Sequence, residues 1–318
     1  MRTVALGSQG LRVSAEGLGA MGMSVWYGPR DEEESVATLN RAVDLGVTHI
    51  DTAEAYGPFE NERLLARALG RRREEITLAT KFATEFDDDG TAHGPNGSAR
   101  YAHRAVDRSL RHLGTDVIDL YYLHWVDPDV PVEETVGAMG EMVAAGKVRH
   151  IGLSEASAEE IRRAHATFPV TALQSEYSLF SRDVEYNGVL ETVRELGIGF
   201  VAFSPLGRGF LSGRITRAGD LAPDDARRGL PRFSEENIAA NLRVVAELER
   251  IARHKGVSTS QLALAWLLGR SVVPIPGTKR RTYLEENVAA AEVVLSEEEY
   301  AAVDAVSPYG VAAGARER

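Results

Sequence analysis

The sequence contains no cysteine, so neither a disulfide nor a thiolate nucleophile is open to it, and histidine is its only soft metal ligand. Its eight histidines are scattered without ligand spacing, and no metal site is expected. Long apolar runs are missing too: none approaches the ~18 residues of a membrane-spanning helix, and Met1 to Ser8 lacks the continuous apolar stretch of a secretion signal. A cytoplasmic protein with no membrane partner is expected. Positive charge is in short supply. Against 47 Asp and Glu stand 36 Lys and Arg, a net charge of −11, which disfavours nucleic acid as a partner. The local exception is Lys279-Arg280-Arg281.

What is present is ordinary globular composition, 44% hydrophobic and 26% charged, ample for a sizeable core. Thr3–Leu6 and Leu11–Ser14 flank Gly7-Ser8-Gln9-Gly10 and predict a small N-terminal hairpin. Gly17-Leu18-Gly19-Ala20-Met21-Gly22 then matches the G-x-G-x-x-G dinucleotide fingerprint. A true fingerprint opens a helix, whereas Met23 to Pro29 carries aromatics, Gly and Pro. The stretch reads better as a first strand with a glycine-rich exit, and Met21, Trp26 and Tyr27 as a pocket wall.

Strand-like and helix-like segments alternate from there on. Strands are expected at 16–20, 47–51, 76–81, 117–124, 148–153, 170–174, 198–203 and 272–275. Helices are expected at 31–45, 61–69, 98–113, 132–145, 157–167, 184–196, 234–254 and 279–292. Eight strands each followed by a helix is the count of a closed (β/α)8 TIM barrel in the α/β class, and such a barrel holds this length as one domain, residues 1–318. A further C-terminal helix, 296–306, opens on the capping-box pair Ser296 and Glu299. The long stretch 213–233 suits a lid or cofactor strap as well as a solvated insertion.

Successive strands end on ionisable groups: Asp51 after the second, Lys81 after the third and His124 after the fourth, with Tyr56 one turn beyond Asp51. In a barrel these ends meet at one rim. Singly, each has a structural reading: Asp51 as a cap, Tyr56 as a pocket aromatic, Lys81 snorkelling, His124 as a core histidine. Four together at neighbouring strand ends are better read as chemistry. An ammonium beside a phenol stabilises its phenolate and lowers its pKa, so Lys81 can make Tyr56 an acid, Asp51 can hold Lys81, and His124 can orient a carbonyl oxygen.

Val47-Thr48-His49-Ile50-Asp51-Thr52-Ala53-Glu54-Ala55-Tyr56-Gly57, Leu78-Ala79-Thr80-Lys81 and Asp119-Leu120-Tyr121-Tyr122-Leu123-His124 closely resemble the signatures of the aldo-keto reductases, over nearly the whole chain. The resemblance implies a catalytic tetrad of Asp51, Tyr56, Lys81 and His124, Tyr56 being the general acid toward a carbonyl reduced by hydride from NADPH. It further implies ordered binding, cofactor first, and no metal. NADH is possible but less favoured. Strands five to eight end in groups that suit a nicotinamide cofactor: Ser154 and Gln174 for the carboxamide, Phe203 for the ring, and Ser204, Pro205, Leu206, Gly207 and Arg208 for the pyrophosphate. Gly277, Thr278, Lys279 and Arg280 lie where a 2′-phosphate is expected, and Glu286 and Asn287 resemble family residues that hold the adenine. Two positions depart from the common pattern. Glu155 replaces an Asn beside Ser154, and Tyr283 stands where an Arg is frequent. The pattern Ser154-Glu155-Ala156-Ser157 resembles the bacterial and plant branch that reduces varied aldehydes and ketones.

Met21, Trp26, Phe86, Trp125 and Phe210 are expected to line an apolar pocket for a small carbonyl substrate, an aromatic or medium-length aliphatic aldehyde. Two other functions fit parts of the pattern: a nicotinamide-binding, redox-sensing regulatory subunit, and a Schiff-base aldolase using Lys81. Nothing in the sequence speaks to the oligomeric state.

Overall fold

A computed structural model describes residues 1–87 and 89–316 of the chain. The reading of 1–318 as one unit includes Asp88, Glu317 and Arg318, which lie outside the described residues. The N-terminal hairpin pairs β1 (Thr3–Ala5) with β2 (Arg12–Ser14). Parallel strands need a crossover between them, usually a helix, and eight short apolar runs so connected form one sheet. In spatial order these are β3 (Leu18–Gly19), β4 (His49–Asp51), β5 (Thr77–Phe82), β8 (Ile118–Leu123), β9 (Val148–Ser154), β10 (Ala172–Glu176), β11 (Gly199–Phe203) and β12 (Val273–Pro274). A parallel bridge between Gly19 and Gly277 closes β3 onto the chain just beyond β12. The two strands left over, β6 (Thr84–Phe86) and β7 (Ala92–Pro95), form an antiparallel hairpin after β5 that the sequence pattern did not predict.

The barrel interior is packed by Ala79, Leu120, Tyr122, Ala172, Val201, Val273 and Ile275, and the N-terminal hairpin plugs one end with Leu6, Leu11 and Val13. Gly17 faces this interior. A Cβ there would sit 2.7 Å from the His49 ring and 2.9 Å from Ile275, so the first glycine of the apparent fingerprint is required by barrel packing. Gly152 is the same case, since a Cβ would fall 2.4 Å from the Tyr122 ring.

Most of the α-helices begin on side-chain caps. Asp31 opens α1 (Glu32–Asp44), and α2 (Glu60–Leu69) follows without a side-chain cap. Ser98 opens α3 (Ala99–Leu113), and α4 (Val132–Ala144) starts after Pro131. Ser157 and Glu160 form a reciprocal box at α5 (Ala158–Thr167). The helix expected at 184–196 shrinks to α6 (Val189–Glu195), because Gly188 enters the left-handed region and only a single 3-10 turn precedes it. The helix at 234–254 is present as α7 (Glu235–Lys255), but it is not the helix of the seventh βα unit. That place belongs to α8 (Thr259–Leu268), which packs on β12 and which the periodicity missed. Every residue of α8 but Gln261 is buried, so it has almost no polar face to give a period. The last expected unit is α9 (Arg281–Val288) with a 3-10 turn to Glu292, and α10 (Glu297–Val306) carries the expected Ser296–Glu299 box. Among the described residues no helix is long and apolar enough to cross a membrane, and no cluster of His, Asp and Glu could hold a metal.

Candidate active site

Because side chains alternate along a strand, Lys81 on β5 points into the barrel in the same sense as Ala79. It is fully buried, at 0% exposure. Its ammonium donates to Asp51 Oδ1 at 2.5 Å, to the Thr52 carbonyl at 2.8 Å and to the Tyr56 hydroxyl at 3.3 Å. All three N–H donors are thereby used. Burial works to lower the Lys81 pKa, but Asp51 and Tyr56 together outweigh it and leave it raised, so the group is held as an ammonium. His124 follows β8 directly, its backbone N–H on the Phe82 carbonyl at 2.7 Å. Its ring meets the Tyr56 ring edge-on at 5.9 Å. Burial, and then the Lys81 charge, push the His124 pKa well below its ordinary value, so the imidazole is neutral.

Tyr56 differs from expectation. Lys81 does pull its pKa down, but burial is the larger effect and the net shift is upward. The phenol rests protonated.

The turn bearing Tyr56 is braced from behind by Asn61, which accepts from the Thr52 hydroxyl at 2.6 Å and donates to the Ala20 carbonyl at 2.9 Å and to Ser24 Oγ at 2.8 Å. Those bonds fix the Met21–Met23 turn at the rim. Trp26 packs edge-on to Tyr56 at 6.1 Å, and Trp125 stacks on His124 at 5.3 Å. Both indoles are exposed, and Met21 is part-buried. Phe86 and Phe210 do not join them. Phe86 packs on Phe59 at 5.5 Å behind the barrel wall, and Phe210 lies buried between Phe180 and Phe233. Their apolarity is spent in the core, which correlates with pocket lining only when a ring reaches the surface.

Ser154 and Gln174 are register partners on β9 and β10. Gln174 reaches across the barrel and donates to Asp51 Oδ2 at 2.8 Å, which shows that both point inward and that the two halves of the rim touch. Phe203 is half-buried at the end of β11. Beyond it Ser204, Gly207, Arg208 and Gly209 all have positive φ, at 49°, 57°, 57° and 95°. Ser and Arg are rare in this sparsely populated region and hold the turn under backbone strain, with Pro205 and Leu206 at its bend. Arg208 donates to the buried Glu176 at 3.2 Å. Glu155, also at positive φ, accepts from the Glu176 N–H at 2.8 Å and pairs with Arg316. Its carboxylate is thus committed away from Ser154, which accounts for the departure at this position.

The basic run is less free than its composition suggests. Lys279 donates to the carbonyls of Tyr27 and Pro29 at 2.6 and 2.7 Å. Arg281 is paired with Glu34, whose carboxylate also accepts the Arg281 backbone N–H at 3.0 Å. The anion at this helix N-terminus is therefore the chain's own. Arg280 stays exposed beside Thr278 and Gly277. Asn287 is buried, while Glu286 is held by Arg214 at 2.6 Å, and the same guanidinium lies 4.1 Å over the Tyr283 ring. Arg214 belongs to the 213–233 stretch. That stretch crosses the rim as a strap, with the Ala226 N–H on the Trp26 carbonyl at 2.9 Å and Arg227 over the Tyr27 ring.

Comparison with known proteins accords with this geometry. The structure superimposes on the glycerol dehydrogenase of Gluconobacter oxydans with a TM-score of 0.87 at 26% identity, covering 96% of this chain and 94% of that one. A thermostable aldo-keto reductase in complex with the inhibitor epalrestat gives a TM-score of 0.77 at 33% identity over 96% and 100%. An aldo/keto reductase from Klebsiella pneumoniae, solved with NADP and acetate, gives 0.74 at 30% identity over 96% and 95%. The family model described as "Aldo/keto reductase family" matches residues 17–308, and the chain belongs to that family.

Proposed function

We propose that this protein reduces aldehydes and ketones to alcohols with NADPH, and that Tyr56 delivers the proton to the carbonyl oxygen. The observation that carries the reading is the single ammonium of Lys81 in contact with Asp51 and Tyr56 at once. When bound, the nicotinamide would supply the hydride. The residues present suit that group: Ser154 and Gln174 at one level inside the mouth, Phe203 at its edge, the positive-φ turn 204–209 beside them and Arg280 farther out.

The chain's own part is proton handling and orientation. The neutral imidazole of His124 is a hydrogen-bond donor and cannot repel a cation. Together with the Tyr56 hydroxyl it would hold the carbonyl oxygen over the mouth. As Tyr56 gives up its proton, the phenolate is met at 3.3 Å by Lys81, an interaction stronger in the transition state than in the ground state and therefore catalytic. The same three contacts that hold Lys81 charged argue against a Schiff-base role, which needs a free amine. Trp26 and Trp125 favour aromatic or medium-length aliphatic aldehydes.

The test is NADPH oxidation with an aromatic aldehyde, wild type beside Tyr56→Phe. The expected result is turnover by wild type and a loss on the order of 10²–10⁴-fold in the variant. The wild-type rate should fall as pH rises through the Tyr56 pKa, without a limb near pH 6.5 from His124. Equal turnover by both proteins would remove Tyr56 as the acid. Tight NADPH binding with no turnover by either would favour a redox-sensing subunit. A higher kcat/KM for small charged carbonyl compounds than for aromatic ones would overturn the pocket assignment.

A further inference from the structure

Beneath the catalytic turn lies a second set of buried ionisable groups that the reaction does not use. Glu54 stands two residues before Tyr56 and is 1% exposed, Arg108 on α3 is 4% exposed, and Tyr101 on the same helix is 2% exposed. Arg108 Nη2 donates to Glu54 Oε2 at 2.9 Å and to the Tyr101 hydroxyl at 2.8 Å, and that hydroxyl lies 3.0 Å from Glu54 Oε1. Each member also grips the backbone that follows Lys81. Glu54 accepts from the Ala83 N–H at 3.3 Å, Tyr101 bonds the Thr84 carbonyl, and Arg108 Nη1 donates to the Phe86 carbonyl at 2.9 Å. Arg108 further stacks on Phe59, at the end of the Tyr56 turn, with its guanidinium 4.4 Å from the ring.

Stability alone does not explain such a cluster. Well-packed apolar residues hold an interior at least as well as a buried ion pair, because desolvation offsets most of the Coulombic gain. A second carboxylate, Glu62, is buried alongside, held by the Thr80 hydroxyl at 2.8 Å, and adds to that cost. What the cluster does achieve is geometric. It ties the segment that carries Tyr56 and the segment that follows Lys81 to one rigid element, α3.

We propose that the Glu54–Arg108–Tyr101 cluster is a positioning device that sets the separation of Tyr56 from Lys81. The proposal rests on the reading of Tyr56 as the proton donor. Catalytic groups displaced by about 1 Å can lose on the order of 10²-fold in rate, and the 3.3 Å contact is the one the phenolate depends on. The charged or titratable groups facing Tyr56 are Lys81, Asp51 and His124, so its pKa reports on that separation.

The variants are Glu54→Gln and Tyr101→Phe. The second removes one arm, leaves the ion pair in place, and decides the matter if the first does not fold. Two readouts are followed: kcat and KM for NADPH and an aromatic aldehyde, and the ¹⁹F shift titration of 3-fluorotyrosine introduced at position 56, which needs no substrate. The expected result is a kcat lower by on the order of tenfold or more, little change in KM for NADPH, and a fluorotyrosine pKa moved upward as Lys81 draws away, with Tyr101→Phe showing the smaller change. A lowered melting temperature with kcat and the position-56 titration unchanged in the folded variants would overturn the proposal and leave a purely structural cluster. Wild type that turns over no aldehyde, while the titration still moves in the variants, would instead remove the functional reading and leave the positioning intact.

Discussion

The two halves of the barrel mouth are built on opposite plans. On the side of β4, β5 and β8, charged side chains have already found one another: Lys81 spends its donors on Asp51, Thr52 and Tyr56, and Asn61 braces the turn behind. On the side of β9 to β12 the notable feature is backbone, with Glu155, Ser204, Gly207, Arg208 and Gly209 all at positive φ, and its cations rest on the chain's own acceptors. Arg208 sits on Glu176, Lys279 on two carbonyls and Arg214 on Glu286. The first half is preorganised for a step that leaves it unchanged. Under the proposed function, the second is the half that binds and releases the cofactor. Gln174 bridges them, through Asp51.

The contrast is broken most sharply by Lys81→Met beside Arg208→Met. Lys81→Met should lower kcat on the order of 10³-fold. It also leaves Asp51 buried with Gln174 as its remaining side-chain partner, which should cost about 3–5 kcal/mol of stability. Arg208→Met should instead weaken NADPH binding and leave kcat at saturation within a few-fold. Single-turnover kinetics and urea denaturation separate the two. A similar kcat loss from both variants would mean the halves do not divide the work as described.

How much of this was legible in the sequence follows the same division. The four proposed catalytic side chains could be read because each stands at or just past the end of an apolar strand, and strand ends in a barrel converge whatever the details of packing. Eight strands and the closing helix followed from periodicity. Helix α8 was invisible because all of it but Gln261 is buried, and Phe86 and Phe210 were misplaced because an aromatic in a loop-like stretch looks the same whether it lines a mouth or fills a core. Lys279 bonds Pro29, Glu155 pairs with Arg316 and Arg108 with Glu54 across 250, 161 and 54 residues, respectively, and no local pattern announces pairings at that range. Glu54 appears in the sequence only as part of the 47–57 stretch, with no role assigned to it.

Gly17 sharpens the point with an intermediate effect. A dinucleotide fingerprint predicts that Gly17→Ala abolishes cofactor binding. The barrel predicts otherwise, because the added methyl meets His49 and Ile275 inside the wall, and overpacking of this kind costs about 1–3 kcal/mol. Denaturation midpoints should fall while the Kd for NADPH, measured on the folded fraction, stays near wild type. A large loss of affinity at unchanged stability would restore the fingerprint.

The smallest expected effect concerns the basic run, where sequence and structure rank the residues differently. Composition treats Lys279 and Arg280 as equals. In the fold, Lys279 bridges the carbonyls of Tyr27 and Pro29 at 2.6 and 2.7 Å, and burial lowers its pKa, so an incoming phosphate must compete for an ammonium already in use. Arg280 is exposed and offers a planar fork suited to phosphate. Arg280→Met should therefore reduce the preference for NADPH over NADH by a factor of several, with the loss confined to NADPH. Lys279→Met should change that ratio less, and should instead loosen the Tyr27–Pro29 loop against which the 213–233 strap closes, raising KM for both cofactors alike. Measuring kcat/KM for NADPH and NADH in the two variants distinguishes charge recognition from loop anchoring. A larger change in the ratio from Lys279→Met would show that its bonds to the loop give way when the cofactor binds, and that the closed half of the mouth is less committed than it looks at rest.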